Sequence, residues 1–391
     1  MENKFSIPLL IIMLTLIVCI VCSCEYNHTE SPPSIIPGIS NNNSEPNNRN
    51  ISVHMGSDFS YILCDGIVYA AGDNSFGQFG MPNTNEDIVV VPFENKIDIL
   101  EATMYNAYAL DVQNNLFVFG AVQNEFGIDA DSPEIFAEPT LIPFDDEICQ
   151  ISATDTNVLI LSMDGKVYEC KLSGRKFEVK SIEIEDTVVK VAAGGAHFIA
   201  LTNNGDIYVW GNNSFGQLGV EDKKAILEPY KLSLDYKIKD IAAGESASYL
   251  ISVDGNGYSS GTNSYGETGT GSEDYYLTTF KKMDFPSDIK ISNIYPATFL
   301  FASAVDTNGD LWTWGSNINN SLALGKQSIV YSPMKRNFDT KVNSAAKGGM
   351  LYVGQDNKIY VWGSNAKGKL FIDKKIELLT TNTQVFKEEI Q

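Results

Sequence analysis

Histidine is nearly missing from this chain, with three residues in 391. His28, His54 and His197 are far apart in the sequence, and no serine and carboxylate accompany them in a recognisable order. The pattern therefore predicts neither a Ser-His-Asp arrangement nor a histidine-rich metal site. The expectation is a protein without catalytic residues, cofactor or metal.

Basic residues are also few, with 28 lysines and arginines against 49 aspartates and glutamates, which gives a formal net charge of −21. Proteins that bind nucleic acid use lysine and arginine to neutralise phosphates and release counterions. A surface this acidic repels phosphates instead. Nucleic acid is therefore excluded as a partner.

Cysteine is too sparse for a disulfide framework. The six cysteines are Cys19, Cys22, Cys24, Cys64, Cys149 and Cys170. The last three are widely spaced and odd in number, so neither a set of disulfides nor a zinc site is predicted, and we interpret them as buried thiols.

Only one long hydrophobic run is present, from Ile7 to Val21, behind Lys4. It is short for a transmembrane span and typical of the central part of a secretory signal. It ends in Val21-Cys22-Ser23-Cys24, which resembles a bacterial lipoprotein signal whose cysteine becomes the lipidated first residue. The interpretation is a signal peptide over 1–23 with lipidation at Cys24. Ordinary signal cleavage and an uncleaved anchor are the alternatives.

The segment that follows, residues 24–50, is rich in asparagine and proline and has few large apolar residues. Such a composition cannot bury enough surface to fold. We interpret it as a tether that would hold the rest of the protein about 25 to 30 Å from its anchor. The expected domains are therefore the signal peptide 1–23, the linker 24–50 and a folded region 51–391.

A short hairpin recurs seven times in the folded region. In each copy a Gly or Asn, which readily takes positive φ, is followed three residues later by an aromatic ring. The turn residues are Gly66, Asn114, Gly165, Gly205, Gly255, Gly309 and Asn357. The rings are Tyr69, Phe117, Tyr168, Tyr208, Tyr258, Trp312 and Tyr360. Asp or Asn precedes six of the seven turn residues, which predicts tight two-residue hairpin turns.

The spacing of the copies indicates the architecture. Between the residues that close the strands, from Gly72 to Gly363, successive copies are 48, 51, 40, 50, 54 and 48 residues apart. This is the length of a four-stranded propeller blade. Strands such as 207–210 and 359–362 are apolar on both alternating faces and must be covered on both sides. The sequence predicts an all-β fold, a seven-bladed β-propeller of four-stranded blades.

The most regular copy runs from Val191 through the turn Asn204-Gly205 to a Gly-rich loop at 212–219. It is similar to the repeat of the regulator of chromosome condensation family, and the resemblance covers about residues 51–391. The resemblance implies a seven-bladed propeller. It also implies a guanine-nucleotide exchange role, which fits poorly with an acidic, exported protein.

The copies are unequal. The third has Cys170-Lys171 where the best copies have Trp-Gly, and it lacks the Gly-rich loop, so it is open whether it forms a full blade. The family's second-strand histidine is kept only as His197. Its places in the other copies are Asp58, Asn106, Asn157, Ala247, Phe301 and Gly349. One imidazole without neighbours makes no site, so His197 is interpreted as a hydrogen-bonded structural residue.

An anchor, a tether and a rigid scaffold in which no catalytic residues can be recognised favour a non-enzymatic binding module. We expect a monomer, exported and anchored outside the bacterial plasma membrane or at the cell surface, whose propeller face binds a protein or another cell-envelope ligand. The alternatives are an exported inhibitor of an envelope or secreted enzyme, as in the β-lactamase-inhibitory propeller that the repeats resemble, and a hydrolase or lyase that uses carboxylates in the channel. Exchange-factor activity rests on the resemblance alone.

Strand polarity predicts the binding face. If the chain turns at Gly194-Gly195 on one face, the loops after the third strands emerge on that face too. These loops are longer and more varied than the hairpins, and binding residues concentrate in such loops. The candidate binding residues are Phe76, Phe126, Phe215 and Tyr265. Each of these rings could instead pack its loop against its own blade.

The chain ends suggest a way of closing the ring. The first copy begins directly with the strand at Ile51, and the last copy continues to 383–387. We expect this tail to pair in the first blade, so that no blade edge is left open. Ending the chain at Asn382 would then destabilise the whole domain by several kcal/mol.

The lipid anchor can be tested directly. Replacing the proposed lipidated residue, Cys24→Ala, should release the propeller from the membrane fraction or leave the precursor uncleaved, because no other residue would carry the lipid. Membrane fractionation and mass spectrometry of the N-terminus measure both outcomes. Unchanged partition with an intact N-terminus would instead make Ile7 to Val21 a retained anchor.

Overall fold

The computed structural model describes residues 50–385 except 83–85, 123–133, 174–175, 298–299, 326–327 and 348–349. The predicted signal peptide and Cys24 lie outside the described residues, as does the tether up to residue 49. The described chain forms seven antiparallel sheets of four strands each, and the strands of every sheet are consecutive along the chain.

The first three blades are built as follows. The first contains β1 Ile51–Met55, β2 Phe59–Cys64, β3 Ile67–Gly72 and β4 Ile88–Val90. The second contains β5 Ile97–Ala102, β6 Asn106–Asp111, β7 Leu116–Val122 and β8 Glu134–Ile142. The third contains β9 Ile148–Ala153, β10 Asn157–Ser162, β11 Val167–Ser173 and β12 Lys176–Ile182.

The remaining four blades repeat this order. The fourth contains β13 Val188–Ala193, β14 His197–Thr202, β15 Ile207–Gly211 and β16 Ile226–Lys231. The fifth contains β17 Ile238–Ala243, β18 Ala247–Ser252, β19 Gly257–Thr262 and β20 Tyr276–Lys282. The sixth contains β21 Ile291–Pro296, β22 Phe301–Asp306, β23 Leu311–Ser316 and β24 Ile329–Lys335. The seventh contains β25 Val342–Ala345, β26 Leu351–Gly354, β27 Ile359–Ser364 and β28 Leu378–Val385. Short 3-10 turns at Ile318–Asn320 and Ala366–Gly368 follow β23 and β27.

These strands confirm the predicted seven-bladed propeller of four-stranded blades. The third copy also forms a complete four-stranded sheet, although its last two strands are separated by only residues 174 and 175. The degenerate sequence has therefore lost the loop between these strands but not the blade.

The hydrophobic core lies in the seams between blades. The second strands, such as β14 and β18, are buried at every position, whereas fourth strands such as β16 are largely exposed. One cluster joins Leu159 and Leu161 of the third blade to Phe198 and Trp210 of the fourth. Because each blade buries its apolar faces against its neighbours, a single blade has no core of its own.

All seven predicted turn residues have positive φ, from 59° at Asn357 to 87° at Gly66. The turn type, however, was predicted correctly only for the first hairpin, where Asp65 also has positive φ and Cys64 pairs with Ile67 across two residues. In the other six a three-residue loop forms, as where Gly205 N donates to Thr202 O and Thr202 N to Asp206 O. There only the last loop residue is left-handed, which lets ordinary residues precede it.

The expected closure of the ring is wrong. Gln384 pairs with Tyr360 and Val385 with Ile359, both in the seventh blade's own third strand; residues 386 and 387 lie outside the described part. Since each copy supplies its own four strands, no strand is exchanged. The ring closes instead by packing β1 against β25 and β26, and Lys369 Nζ donates to Ser57 O at 2.6 Å across this seam.

Between the third and fourth strands, five blades carry loops with a common buried asparagine. Its Oδ1 accepts from the backbone N–H five residues later, and its Nδ2 donates to a carbonyl further along. The five residues are Asn74, Asn213, Asn263, Asn317 and Asn365, with the first of these bonds between 2.7 and 3.2 Å. We call these connections the clasp loops. The loop backbone lies outside any strand and has no ladder partners. Each asparagine side chain hydrogen-bonds these backbone groups instead, and so fixes the shape of its loop.

Each clasp loop reaches over the next blade. Gly216, with φ of 79°, lies so close to the fifth blade that a Cβ would stand 2.5 Å from Thr278 Cα. The carbonyl of the following residue, Gln217, accepts hydrogen bonds from Ser248 and Ser260 of the fifth blade. Equivalent bonds cross the next three seams, at Glu267 O from Trp314, Ser321 O from Trp362 and Lys369 O from Ser60. A backbone carbonyl of one blade thus satisfies donors buried in its neighbour.

This contact predicts the cost of adding one methyl group to a clasp loop. Gly216→Ala should lower the free energy of unfolding by about 2 to 4 kcal/mol, because a left-handed residue acquires a side chain and that side chain overpacks the seam. Chemical denaturation of the full-length protein measures the change.

Gly325→Ala is the matched control, because Gly325 also has positive φ, 65°, but nothing lies within 4 Å of its Cβ position. It should cost only about 1 kcal/mol from backbone strain. Equal losses in the two variants would show that the contact with Thr278 is not tight.

Candidate functional site

The two faces of the propeller differ. Because consecutive strands are antiparallel, the turns between first and second strands and the clasp loops emerge at one end, which we call the loop face. The hairpins between second and third strands emerge at the other end, the hairpin face. This places the loop after Gly211 on the same face as Gly194-Gly195, the arrangement on which the predicted binding face depended.

A cavity of about 130 Å³ opens at the centre of the loop face, where the channel ends. Its wall is formed by the turns that follow the first strands of six blades, with Asp155 and Thr156 from the third blade, Gly194 and Gly195 from the fourth, and Glu245 from the fifth. We call this cavity the mouth. The repeat brings these turns together because every first strand lines the channel.

Asp155 is held in the mouth by backbone donors. Its Oδ1 accepts from Met104 N at 2.8 Å and from Tyr105 N at 3.3 Å, both in the second blade's turn. Burial raises the pKa of its carboxyl, while the hydrogen bonds from Thr103, Met104 and Tyr105 act in the opposite direction. The result is a partly buried carboxyl whose position is fixed by the adjacent blade.

Glu245 is the second carboxyl of the mouth. Its side chain retains solvent exposure, yet it lies so near the fourth blade's turn that a Cβ on Gly195 would meet Glu245 Oε1 at 2.3 Å. Desolvation, and secondarily the negative charge of Asp155, raise its pKa to about 7. Among the described residues, no lysine or arginine forms an ion pair with either carboxyl. Lys347 also lines the mouth, but its Nζ pairs with Glu101, so within the described part of the chain Asp155 and Glu245 have no ion-pair partner of their own.

Deeper in the channel, a second cavity of about 250 Å³ adjoins the mouth at Lys347. Lys347 Nζ is 2.8 Å from Glu101 Oε2, so its charge is already paired. Ser52 Oγ and His54 Nε2 are 2.8 Å apart in the wall, but burial lowers the pKa of His54 to about 4. Within the described part of the chain no carboxylate hydrogen-bonds the other ring nitrogen, so this pair lacks the third member of a triad.

Three of the predicted binding aromatics, Phe76, Phe215 and Tyr265, lie in clasp loops on the loop face, outside the lining of the mouth, in a region that we call the rim. The rings of Phe215 and Tyr265 are 46% and 38% exposed. Phe76 is half-buried and packs edge-on against Tyr105 of the second blade, with ring centroids 6.3 Å apart. It therefore contacts the neighbouring blade. Phe126 lies outside the described residues.

His197 is fully buried and its Nε2 is 2.9 Å from Ser248 Oγ of the next blade. Ser248 donates its only hydroxyl proton to Gln217 O, so Nε2 carries the proton and donates to Ser248. Burial lowers the pKa of His197 to about 3. In the first blade the equivalent residue is Phe59, which faces Gly72 as His197 faces Gly211. The assignment of Asp58 to this place was wrong by one residue, and Gly349 lies outside the described residues.

Sequence reasoning did not single out Asp155 or Glu245. Each is the second residue after a first strand that ends in alanine, within Ala153-Thr154-Asp155 and Ala243-Gly244-Glu245. That shared offset could have identified both as inward-facing turn residues. Without a ring to bring the third and fifth copies together, they looked like other surface carboxylates.

The described residues offer neither a metal site nor a membrane-spanning helix. No group of three or more histidines, cysteines, aspartates or glutamates is close enough there to hold a metal ion. In the same part of the chain, no helix is long and apolar enough to span a membrane.

Comparison with known proteins identifies the repeat. Residues 188–217 and 204–251 match family models described as regulator of chromosome condensation (RCC1) repeat. The regulator of chromosome condensation of Mus musculus is 26% identical over 172 residues, covering 39% of this chain and 41% of that protein. The ultraviolet-B receptor UVR8 of Arabidopsis thaliana is 27% identical over 250 residues, covering 59% and 56%. This chain thus aligns with about half the length of these curated relatives or less.

Solved structures share the fold. The structure of Prp20p from Saccharomyces cerevisiae superposes with a TM-score of 0.67 at 22% identity, covering 76% of this chain and 80% of that one. Human WBSCR16 gives a TM-score of 0.64 at 18% identity, covering 76% and 85%. The chain therefore carries the repeats that its sequence resembled, folded as the propeller that the resemblance implied.

The raised pKa of Glu245 makes a prediction about stability. Glu245→Gln should raise the melting temperature at pH 8 and change it little at pH 4.5. A carboxyl whose pKa is raised on folding costs stability only where it must ionise, so the penalty grows as pH rises from about 4.5 through about 7. The control is Glu273→Gln, an exposed glutamate in the clasp loop of the fifth blade. A gain from Glu245→Gln of the same size at both pH values would contradict the raised pKa.

Proposed function

We propose that this protein is an exported, membrane-anchored binding module whose loop face holds a protein partner, with a lysine or arginine of the partner at the mouth. The export and the anchor are inferred from residues 1–50, as the sequence suggested. The binding role is inferred from the propeller itself.

The convergence of Asp155 and Glu245 at the mouth carries this proposal. Two carboxyls that form no ion pair among the described residues lie in a cavity where the surrounding protein weakens screening by water, and the one lysine in its described lining, Lys347, is paired with Glu101. A cation placed between the two carboxyls therefore gains more than it would on an open surface. The net charge of −21 also favours encounter with a basic partner.

Exposed aromatic residues at the rim favour a large partner over a small ion. Phe215 and Tyr265 stand exposed on neighbouring clasp loops, and Tyr276 lies beside Lys223 Nζ, 4.0 Å from the ring centroid. Aromatic residues of this kind are enriched in protein interfaces. A partner that spans the rim and the mouth would use both.

Propellers of this fold have protein-binding members. Prp20p was described together with its binding properties to Gsp1p and histones. This precedent favours protein binding as the class of function here and does not name the partner. If the partner were an enzyme that loses activity when bound, the protein would be an exported inhibitor that uses the same face.

Site-specific photocrosslinking tests the choice of face. A benzophenone amino acid at Phe215 or Tyr265 of the full-length, membrane-anchored protein should give a crosslinked protein adduct in envelope preparations. The same group at Val112 or Val253, exposed positions on the hairpin face, should give none. Adducts from Val112 or Val253 alone would reverse the assignment.

Charge removal at the mouth tests the role of the carboxyls. The double variant Asp155→Asn/Glu245→Gln should reduce the adduct at least tenfold, since a partner cation would lose both charges. The matched control Asp254→Asn/Glu185→Gln removes two charges from the hairpin face and should leave the yield unchanged. Equal yields from both double variants would contradict a cation at the mouth.

A further inference from the structure

A cavity of about 350 Å³ opens on the hairpin face of the fourth blade. It is lined by the hairpin residues 205–207, by Lys231 at the end of β16, and by Leu232, Ser233, Leu234 and Tyr236 in the connection to β17. All of these residues belong to 176–297, a stretch that the structure describes without a gap. We call this cavity the side pocket. It is separate from the mouth, which opens on the loop face.

The polar part of the side pocket is a network of ion pairs. Lys231 Nζ is 3.0 Å from Asp206 Oδ2 and 3.0 Å from Asp186 Oδ2. The other oxygen of Asp206 pairs with Lys237. Lys231 thus uses two of its three N–H donors, and the carboxylate of Asp206 keeps lone pairs for further donors. Their side chains are 47% and 25% exposed, so a ligand in the side pocket meets a free donor and a free acceptor side by side.

The rest of the lining is largely apolar and fixed in place. Ile207 is buried, and Leu232, Leu234 and Tyr236 are half-buried. The ring of Tyr236 stacks on that of Tyr258 in the fifth blade, with centroids 4.2 Å apart and an angle of 14° between the planes. Leu232 N donates to Ile207 O at 3.0 Å, which ties the connection to the hairpin strand. The apolar wall is therefore already formed without a ligand.

The sixth blade has the same network of ion pairs, so the network by itself belongs to the repeat. Asp310 follows the turn glycine there as Asp206 does in the fourth blade. It pairs with Lys335 at 2.7 Å and with Lys341. What distinguishes the side pocket must lie in the residues between the two lysines.

Those residues differ between the two blades. The places of Leu232 and Leu234 are taken in the sixth blade by Arg336 and Phe338. Arg336 is 8% exposed and donates to backbone carbonyls, and Phe338 stacks on a ring of the next blade at 5.0 Å. Tyr236 stands where the sixth blade has a threonine. The fourth blade thus combines the shared ion pairs with smaller aliphatic side chains and an added ring.

We propose that the side pocket binds one pyranose ring, such as the terminal sugar of a glycan. A pyranose carries hydroxyl groups along its edge and C–H groups on its faces, so it requires a polar and an apolar wall together. Neighbouring hydroxyls donate to Asp206 and accept from Lys231, while a C–H face lies against the ring of Tyr236. The volume is near the lower end of the range of about 300 to 1,000 Å³ for small-ligand pockets, which suits a single sugar ring.

The charges favour a neutral ligand. Lys231 and Lys237 are both already paired with carboxylates, so an anion would have to compete with Asp186 and Asp206 for them. The hydroxyl groups of a sugar join such a network without displacing either partner. Because the side pocket and the mouth lie on opposite faces, a sugar and the proposed protein partner can be bound at the same time.

Saturation-transfer NMR with the full-length protein tests the proposal. The probes are the methyl glycosides of glucose, galactose, mannose and N-acetylglucosamine. At least one should receive magnetisation from the protein, most strongly at its ring C–H protons, and titration of this signal gives its affinity. Glycerol, which has hydroxyl groups but no ring, should receive none. No transfer to any of the four glycosides at tens of millimolar overturns the proposal, and so does equal transfer to glycerol.

Two variants locate the sugar. Tyr236→Ala should weaken binding about tenfold by removing the ring, whereas Tyr236→Phe keeps the ring and should bind like the unchanged protein. Ser233→Arg places a long side chain over the side pocket from an exposed position and should abolish binding without disturbing the core. Its matched control is Asn337→Arg at the corresponding exposed position of the sixth blade, which should leave binding unchanged. Unchanged affinity in both Tyr236→Ala and Ser233→Arg overturns the proposal, as do equal losses in Ser233→Arg and Asn337→Arg.

Discussion

The ring depends on one repeated hydrogen bond, in which a backbone carbonyl of one blade is buried in the next. Trp314 and Trp362 carry indole donors into seams where water has no access, and Glu267 O and Ser321 O accept them. Each such bond adds only about 1 kcal/mol net, but a donor left without an acceptor costs about 1 to 3 kcal/mol. Because acceptor and donor belong to different blades, neither blade satisfies its polar groups alone, just as neither buries its apolar face alone.

Hydrogen bonds between adjacent blades also fix the positions of the residues that line the mouth. The first strands are held around the channel by contacts between adjacent blades, such as Gly195 N to Glu245 O at 2.9 Å and Met104 N to Asp155 Oδ1 at 2.8 Å. Asp155 keeps its place because backbone donors hold it, whereas desolvation and the charge of Asp155 raise the pKa of Glu245. A flexible surface would let these carboxyls separate into water. The closed ring keeps them together at the mouth.

The asymmetry of the ring matters as much as its repetition. Loss of the loop between β11 and β12 leaves the third blade complete, since its four strands pair as in the other six. What differs is the neighbouring seam, where the buried Trp210 Nε1 has no acceptor among the described residues. In a repeat protein, degeneration of one copy therefore also affects the copy that follows.

The sequence by itself determined the number of blades, their four-stranded size and the positions of the turns. These follow from local chemistry, because a left-handed residue such as Gly205 or Asn357 can be recognised wherever it stands and the spacing of copies counts the blades. It did not determine how the ring closes or where the carboxyls meet. The tail at 378–385 has a strand pattern that fits either the first or the seventh blade, and only pairing with β27 decided between them. Asp155 and Glu245 are 90 residues apart in the chain and become neighbours only when the blades are wrapped around a common channel, since it is closure of the ring, and no local pattern, that brings distant first strands together.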